Sequence, residues 1–260
     1  MEIRGKILDY SVVTPLYNED ETLKLLYERI KNVLDSLPGN YEIVFIDDGS
    51  TDTSYKLLKD IAASDKAVKV ISLERNFGQH RALAAGILEA SGDYIITIDA
   101  DLQNPPEEIP KLLRKVVEGF DIVSGYRMAR KDVFTRRFCS FLTNSVISTI
   151  TGFRMKDYNS MLKVYKRETA RRLAFEFMRS ECNITMLVAK ITHNIAEIEV
   201  EHDNRHAGAT KYNFWKLIST FLTIFRYYET ISNILAKEGD KPLCSIGRKI
   251  ENGQEIIITR

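Results

Sequence analysis

Short runs of β-branched and aromatic residues alternate with helical patterns along the first half of this chain. Residues 10–14 (Tyr-Ser-Val-Val-Thr) and 41–46 (Tyr-Glu-Ile-Val-Phe-Ile) have the composition of buried strands, and residues 20–36 place apolar side chains at helical spacing between them. The same alternation predicts strands at 68–73, 93–98 and 120–124 and helices at 52–63, 79–90 and 107–118. It indicates an α/β fold with a Rossmann-like, mainly parallel sheet flanked by helices.

Polar clusters follow several of the predicted strands. They lie at 15–19 (Pro-Leu-Tyr-Asn-Glu), 47–50 (Asp-Asp-Gly-Ser), 99–103 (Asp-Ala-Asp-Leu-Gln) and 125–127 (Gly-Tyr-Arg). Because the carboxyl ends of parallel strands meet at one edge, where open α/β sheets bind their ligands, we expect these clusters to converge on one site.

The alternation stops near residue 130. Residues 160–165 and 195–200 are predicted strands, whereas 132–151 and 212–236 are long, largely apolar helical segments. A length of 260 residues suits one α/β domain with an appendage. The sequence therefore predicts one domain over 1–236, divided near residue 130, and a polar C-terminal tail over 237–260 that ends in a strand-like run.

The overall composition excludes several classes of protein. Lys and Arg total 37 against 36 Asp and Glu, so no nucleic-acid partner is expected and any anion must be bound locally. Three scattered cysteines, without a C-x-x-C pair, favour reduced thiols over disulfides or zinc. No signal segment and no apolar run of about 18 residues is present. The expected location is cytoplasmic, with at most peripheral contact at the cytoplasmic face of a membrane.

A metal site is predicted at Asp99, Asp101 and Gln103. Two carboxylates and a side-chain amide at this spacing supply hard oxygen ligands, which suit Mg²⁺ or Mn²⁺ better than zinc. Such an ion stabilises the charge that builds on a leaving diphosphate. An Asp-x-Asp triplet alone also fits a solvated loop or a helix cap, but its place directly after an apolar strand favours the metal.

Three segments carry a family resemblance: Asn76-Phe77-Gly78-Gln79-His80, residues 95–110 (IITIDADLQNPPEEIP) and residues 157–162 (Asp-Tyr-Asn-Ser-Met-Leu). With them the chain resembles a family 2 glycosyltransferase of the GT-A fold, in the branch that glycosylates polyprenyl phosphates. The resemblance covers about residues 8–230. It implies an inverting transferase that moves a sugar from a nucleotide-sugar, UDP in preference to GDP, to a polyprenyl phosphate. Residues 1–130 would bind the donor, and residues 131–236 would form the acceptor side with C-terminal helices.

The resemblance also implies roles for individual residues on the donor side. Tyr17 would lie against the nucleotide base and Asp48 would accept a hydrogen bond from it, while Arg127, Arg205 and Lys211 would bind the phosphates. Residues 205–211 resemble the family's Arg-x-x-Gly-x-Ser-Lys loop, with Thr210 in place of Ser, although a basic surface loop is the simpler interpretation. The implied donor-binding set is Pro15, Tyr17, Glu19, Ile46, Asp47, Asp48, Asp99, Ala100, Asp101, Gln103, Arg127, Arg205 and Lys211.

The implied catalytic residues are Asp101, Arg127 and Asp157. Asp157 matches an acidic position near the acceptor; an acceptor phosphate is already ionised and needs no strong base, so Asp157 would orient it, unless this is a structural Asp. Arg136 and Arg137 open an apolar segment that could meet a membrane surface. An amphipathic helix packed on the core explains them equally well.

Other interpretations stay open at this stage. Many members of that branch continue into transmembrane helices, which residues 237–260 do not resemble. The apolar helices could instead bury against each other or form a homo-oligomer. A soluble or protein-bound hydroxyl acceptor would make Asp157 a base. A non-catalytic nucleotide-sugar-binding protein conflicts with the intact polar clusters, and a Rossmann-type oxidoreductase lacks its G-x-G-x-x-G fingerprint.

Overall fold

A computed structural model describes residues 2–3, 6–7, 9–127, 155–158, 160–179, 184–203, 246–252 and 254–257. The strands are β1 (Glu2–Ile3), β2 (Lys6–Ile7), β3 (Asp9–Leu16), β4 (Asn40–Asp47), β5 (Val68–Leu73), β6 (Tyr94–Thr97), β7 (Ile122–Arg127), β8 (Lys163–Lys166), β9 (Ile195–Val200), β10 (Ile246–Glu251) and β11 (Gln254–Ile257). The helices are α1 (Asp20–Asp35), α2 (Ser54–Ser64), α3 (Gln79–Glu89), α4 (Ile109–Val116), α5 (Arg167–Arg179) and α6 (Ile184–Ile191), with a 3₁₀ turn at Pro106–Glu108 before α4.

The main sheet has nine strands in the order β11-β10-β5-β4-β3-β6-β8-β7-β9. Strands β3, β4, β5 and β6 are parallel, and β7 is parallel to β9. Strand β8 is antiparallel to both β6 and β7, so β6 and β7 point the same way. The carboxyl ends of β3 to β7 and of β9 therefore share one edge, which confirms the predicted α/β fold with a mainly parallel sheet.

Helices cover both faces of the sheet. Strand β4 directs alternate side chains to the two faces, so it packs against both sets of helices. Ile43 and Phe45 pack in the cluster formed with α1, α2 and α4. Val44 and Ile46 pack in the cluster formed with α3, α5 and α6. Fully burying one such side chain contributes about 1.5–3 kcal/mol, so this continuous apolar strand fixes the centre of the domain.

Helix α1 begins at Asp20, as the sequence predicts. Its apolar side chains recur every three or four residues and form one buried stripe. Leu23, Leu26 and Ile30 are 0% exposed. Asp20 and Glu21 lie in the first turn, where negative charge is favourable to the helix dipole. The helix therefore buries one stripe against the sheet and holds its amino end at the carboxyl edge.

Several boundaries differ from the predictions. Strand β3 runs through Pro15 to Leu16, and β7 includes residues 125–127, although the sequence predicts that both stretches follow their strands. Partner strands extend both ladders: Pro15 pairs with Ile46 of β4, and the β7–β9 register continues to Arg127. Such pairing depends on a neighbour distant in sequence, which a local pattern does not reveal.

The second half differs more. Helices α5 and α6 were not predicted, and β10 and β11 come from the predicted tail, where β10 pairs antiparallel with β5. The C-terminal strands thus extend the main sheet. The predicted helices at 132–151 and 212–236 lie outside the described residues, as do all three cysteines. Within the described part of the chain, no helix is long and apolar enough to span a bilayer.

Candidate active site

The loops after β3 and β4 are joined to each other. The Asn18 backbone N–H donates to Ser50 Oγ at 2.9 Å, and Asn18 Oδ1 accepts from the Thr51 N–H at 2.8 Å. Asn18 has a φ of 55°, a left-handed conformation that Asn tolerates better than most residues. The Glu19 N–H donates to Ser54 Oγ at 3.0 Å. Ser50 therefore links two loops of the site.

Two adjacent carboxylates at the end of β4 organise the neighbouring backbone. Asp48 is 2% exposed and accepts the backbone N–H groups of Phe77 at 2.8 Å and Gly78 at 2.9 Å. Asp47 accepts the Ser50 N–H at 3.0 Å and the Ser72 hydroxyl at 3.2 Å. Burial raises the pKa of the Asp48 carboxyl, and the two N–H donors partly oppose that rise. Asp48 thus holds the loop that leads into α3.

The segment held by Asp48 reaches the Asp-x-Asp loop through Gln79. Gln79 Nε2 donates to Asp99 Oδ1 at 2.5 Å, and Asn104 Nδ2 donates to Asp99 Oδ2 at 3.4 Å. Asp101 Oδ1 accepts the Gln103 backbone N–H at 3.1 Å. Leu102, between them, has a φ of 61° and is 0% exposed, so its buried side chain anchors the strained turn.

The start of α1 also contacts this turn. Thr22 Oγ1 lies 3.1 Å from the Ala100 carbonyl oxygen, to which it can donate. Ala100 and Ile46 are 5% and 0% exposed, so their side chains pack in the core. Pro15 is buried, and Tyr17 is partly buried directly after β3. The structure therefore brings the loops after β3, β4 and β6 together, as the sequence predicted.

The chemistry of Asp99, Asp101 and Gln103 fits a hard divalent cation. Among the described residues, no three His, Cys, Asp or Glu side chains form a metal-binding group. Mg²⁺, however, is commonly held by one or two carboxylates together with substrate phosphates and water, so a complete protein cage is not required. The two carboxylates and the amide oxygen on this turn are enough for such a partly solvated ion. That Asp99, Asp101 and Gln103 bind the metal stays a prediction.

The predicted cationic residues are only partly described. Arg127 is the last residue of β7 and pairs in register with Val200 of β9. Beyond β9, the Asp203 N–H donates to the Gln103 carbonyl at 3.0 Å. Arg205 and Lys211 follow Asp203 in the sequence but lie outside the described residues. The chain segment that leads to them therefore passes beside the Asp-x-Asp turn.

Asp157 lies beside β9, within residues 155–158. Its backbone N–H donates to Glu197 Oε1 of β9 at 3.2 Å. Sequence reasoning missed Glu197, and it also missed Gln79 and Asn104, which hold Asp99. Gln79 and Asn104 lie inside the recognised segments 76–80 and 95–110, so that signal was available; nothing local distinguishes Glu197 from other strand glutamates.

Comparison with known proteins assigns this arrangement to a family. The sequence matches Glycosyl transferase family 2 over residues 11–178. It is 43% identical over 215 residues, 82% of this chain, to undecaprenyl-phosphate 4-deoxy-4-formamido-L-arabinose transferase from Proteus mirabilis, and 43% identical over 210 residues, 80% of this chain, to the enzyme of that name from Shewanella sediminis. These matches cover 66% and 63% of the relatives, so the chain spans somewhat less than two thirds of their lengths.

Solved structures share the fold at low sequence identity. Mannosyl-3-phosphoglycerate synthase from Rubrobacter xylanophilus superposes with a TM-score of 0.62 at 15% identity, covering 96% of this chain and 87% of its own. Glucosyl-3-phosphoglycerate synthase from Mycobacterium tuberculosis, crystallised with Mn²⁺ and UDP-glucose, has a TM-score of 0.53 at 19% identity and covers 77% of this chain and 72% of its own.

The flanked sheet, with an Asp-x-Asp turn at its carboxyl edge, has the GT-A fold that these structural neighbours share. The sequence comparison identifies one family among the proteins that share this fold. The chain belongs to glycosyl transferase family 2.

Proposed function

We propose that the chain is an inverting, metal-dependent glycosyltransferase that moves a sugar from a UDP-sugar to a polyprenyl phosphate. The observation that carries this proposal is the joined set of loops around Asp48 and Asp99 in a chain 43% identical to undecaprenyl-phosphate sugar transferases. The identity supports the acceptor class. The choice of UDP in preference to GDP is part of this proposal and was an expectation from the sequence.

Asp99, Asp101 and Gln103 would hold Mg²⁺ or Mn²⁺. When bound, the ion neutralises charge that develops on the leaving diphosphate. Arg127, Arg205 and Lys211 add cations to the same diphosphate, where Arg can bind two oxygens at once and Lys supplies a mobile point charge. These residues would stabilise the leaving group, which is where most charge accumulates as the glycosidic bond breaks.

The base and ribose would lie beside the loops after β3 and β4. Tyr17 supplies ring area for stacking, with Pro15 and Glu19 beside it. Asp47 and Asp48 are already held by hydrogen bonds from the protein, so a donor that binds there meets groups whose positions are set beforehand. A base N–H could use a further lone pair of the Asp48 carboxylate, since each of its oxygens can accept more than one hydrogen bond.

The acceptor would approach from the side of Asp157. A phosphate monoester is already ionised at neutral pH, so Asp157 orients the acceptor and does not need to remove a proton. A polyprenyl tail must stay in lipid while its phosphate reaches the site. The protein would therefore act peripherally at the cytoplasmic membrane face, and residues 134–150, outside the described part, are the proposed contact because they combine Arg136 and Arg137 with apolar bulk.

A transfer assay with a panel of UDP- and GDP-sugars tests the proposal. Each donor is incubated with Mn²⁺ and either undecaprenyl phosphate in detergent or a set of soluble hydroxyl acceptors, and lipid-linked and free sugar are measured separately. Asp101→Ala serves as the inactive control. Transfer from a UDP-sugar to the lipid phosphate is expected. Transfer only to a soluble hydroxyl would replace the acceptor assignment and make Asp157 the base, and donor binding without turnover would indicate a non-catalytic protein.

A further inference from the structure

Residues 155–158, called the acceptor segment below, are held by a single carboxylate from the edge strand β9. The backbone N–H of Lys156 lies 2.9 Å from both Glu197 Oε1 and Oε2, and the N–H of Asp157 lies 3.2 Å from Oε1. Two consecutive N–H groups thus point at one anion. Hydrogen bonds from backbone N–H groups to a carboxylate are among the stronger ones in proteins.

Glu197 itself occupies a rigid position. It pairs in register with Ser124 of β7, and this parallel ladder runs on to the Arg127–Val200 pair at the carboxyl edge. A carboxylate fixed in a sheet positions what it binds better than one on a loop does. Glu197 therefore holds the acceptor segment in a fixed position relative to the sheet.

A second contact joins the acceptor segment to β7. The Lys156 ammonium lies 4.0 Å from the centre of the Tyr126 ring, a cation–π arrangement, and Tyr126 directly precedes Arg127. Further along, Lys163 Nζ donates to the carbonyl oxygens of Tyr158 and Ser160. The N–H groups of Lys156 and Asp157 are thus bound by a negative charge, and the carbonyl groups of Tyr158 and Ser160 by a positive one.

The fold alone does not require this carboxylate. Lys156 is exposed, so water could accept its backbone N–H if Glu197 were absent, and no deeply buried polar group would be stranded. Water would satisfy the hydrogen bond but would not hold the segment in one place. The expected consequence of losing Glu197 is therefore displacement of Asp157 and only a small loss of global stability.

We infer that Glu197 is a positioning residue for the acceptor side of the site. By accepting the N–H groups of Lys156 and Asp157, it fixes the backbone that carries the Asp157 side chain, which the proposed function places at the acceptor. The role rests on the proposed function, because Asp157 must serve the acceptor for its position to matter in transfer.

The kinetic test compares Glu197→Ala and Glu197→Gln with Glu199→Ala. Glu199 is a matched control two residues along the same strand; its carboxylate accepts from the Tyr126 hydroxyl at 3.5 Å and, in the described part of the chain, accepts no backbone N–H of the acceptor segment. Glu197→Ala should raise the KM for undecaprenyl phosphate by about tenfold or more, because displacing a positioning group by about 1 Å can cost up to about a hundredfold. The KM for the UDP-sugar should stay within about twofold of wild type. Glu197→Gln keeps one acceptor oxygen and should recover part of the loss, and Glu199→Ala should behave as wild type.

Hydrogen exchange on the same full-length variants provides a readout that does not depend on turnover. Amides of Lys156 and Asp157 should exchange faster in Glu197→Ala than in wild type or Glu199→Ala, with little change in Tm. Unchanged exchange at these amides would overturn the inference, as would equal losses for donor and acceptor accompanied by a large fall in Tm. A wild-type protein that fails to use polyprenyl phosphate would defeat the proposed function, whereas the exchange result would still show whether Glu197 holds the segment.

Discussion

The donor edge and the acceptor segment are built in different ways. At the donor edge, formed by the loops after β3, β4, β5 and β6, polar side chains bind one another across loops, as Asn18 does with Ser50 and Gln79 with Asp99. The acceptor segment relies on one strand carboxylate, Glu197, and on the Lys156 contact with Tyr126.

This difference separates the expected effects of substitution. The donor edge has its polar groups oriented before any ligand binds, so a change there should disturb donor binding and local stability together. The acceptor segment has fewer supports, so a change there should alter acceptor use while the fold persists. Five predictions test this contrast, from the largest expected effect to the smallest.

Replacing Asp101 by Ala should have the largest effect. Removing a ligand carboxylate should lower the transfer rate by more than about a hundredfold, since losing one group that stabilises developing charge costs about 10²–10³ in rate. Excess chelator should abolish transfer in the wild type, and Mn²⁺ should restore it. Mn²⁺ binding measured by electron paramagnetic resonance should be lost in Asp101→Ala and retained in the surface control Asp60→Ala. Full activity in chelator would remove the metal from the mechanism.

Arg205→Ala and Lys211→Ala should each lower the rate more than about tenfold. A charge-assisted contact to a leaving diphosphate contributes about 1.5–3 kcal/mol, and 1.4 kcal/mol corresponds to a factor of about ten. Steady-state kinetics at saturating acceptor measures the loss. Near-normal kinetics in both variants would show that residues 205–211 form an ordinary basic surface loop that does not bind the donor diphosphate.

Asp48→Ala should test whether donor edge and fold are coupled. The substitution leaves the N–H groups of Phe77 and Gly78 without their acceptor, which should lower the free energy of unfolding by about 2–4 kcal/mol. Urea denaturation measures it, and the exposed Asp60→Ala should change stability by less than about 0.5 kcal/mol. An unchanged unfolding midpoint in Asp48→Ala would show that this loop is held by other contacts.

The Asp48 carboxyl should also make the free energy of unfolding depend on pH. Burial raises the pKa of Asp48 above 3.8, so the folded protein takes up a proton before the unfolded chain does. This group's contribution therefore increases the free energy of unfolding as the pH falls through its raised pKa, and is complete below 3.8. Asp48→Asn cannot titrate, so the stability advantage of wild type over this variant should widen between about pH 7 and pH 4.

The smallest effect is expected for membrane binding on the acceptor side. Liposomes with anionic lipid should carry the protein upward in a density gradient, and Phe138→Ser with Phe141→Ser should weaken this flotation without changing donor hydrolysis. Liposomes without anionic lipid should bind less, because Arg136 and Arg137 lose their counter-charge. A protein that never floats and glycosylates a soluble hydroxyl would favour the other acceptor.

The local patterns of the sequence were enough for much of the donor edge. Residues 99–103 follow a buried strand as predicted, and the predicted strand at 68–73 matches β5. Arg205, Lys211 and the segment that contains Arg136 lie outside the described residues. The predicted roles of Asp48, Asp101 and Asp157 in binding donor, metal and acceptor remain predictions.

The hydrophobic periodicity of the sequence by itself determined that this chain forms an α/β sheet whose polar loops share an edge. Strand and helix patterns depend on the spacing of residues that are close together in the sequence. Only the tertiary structure decided that β8 enters the sheet antiparallel between β6 and β7, that β10 joins β5, and that Glu197 reaches the acceptor segment. Lys156 and Glu197 are 41 residues apart in sequence. Pairings over such separations depend on which surfaces pack together, and a local pattern does not contain that information.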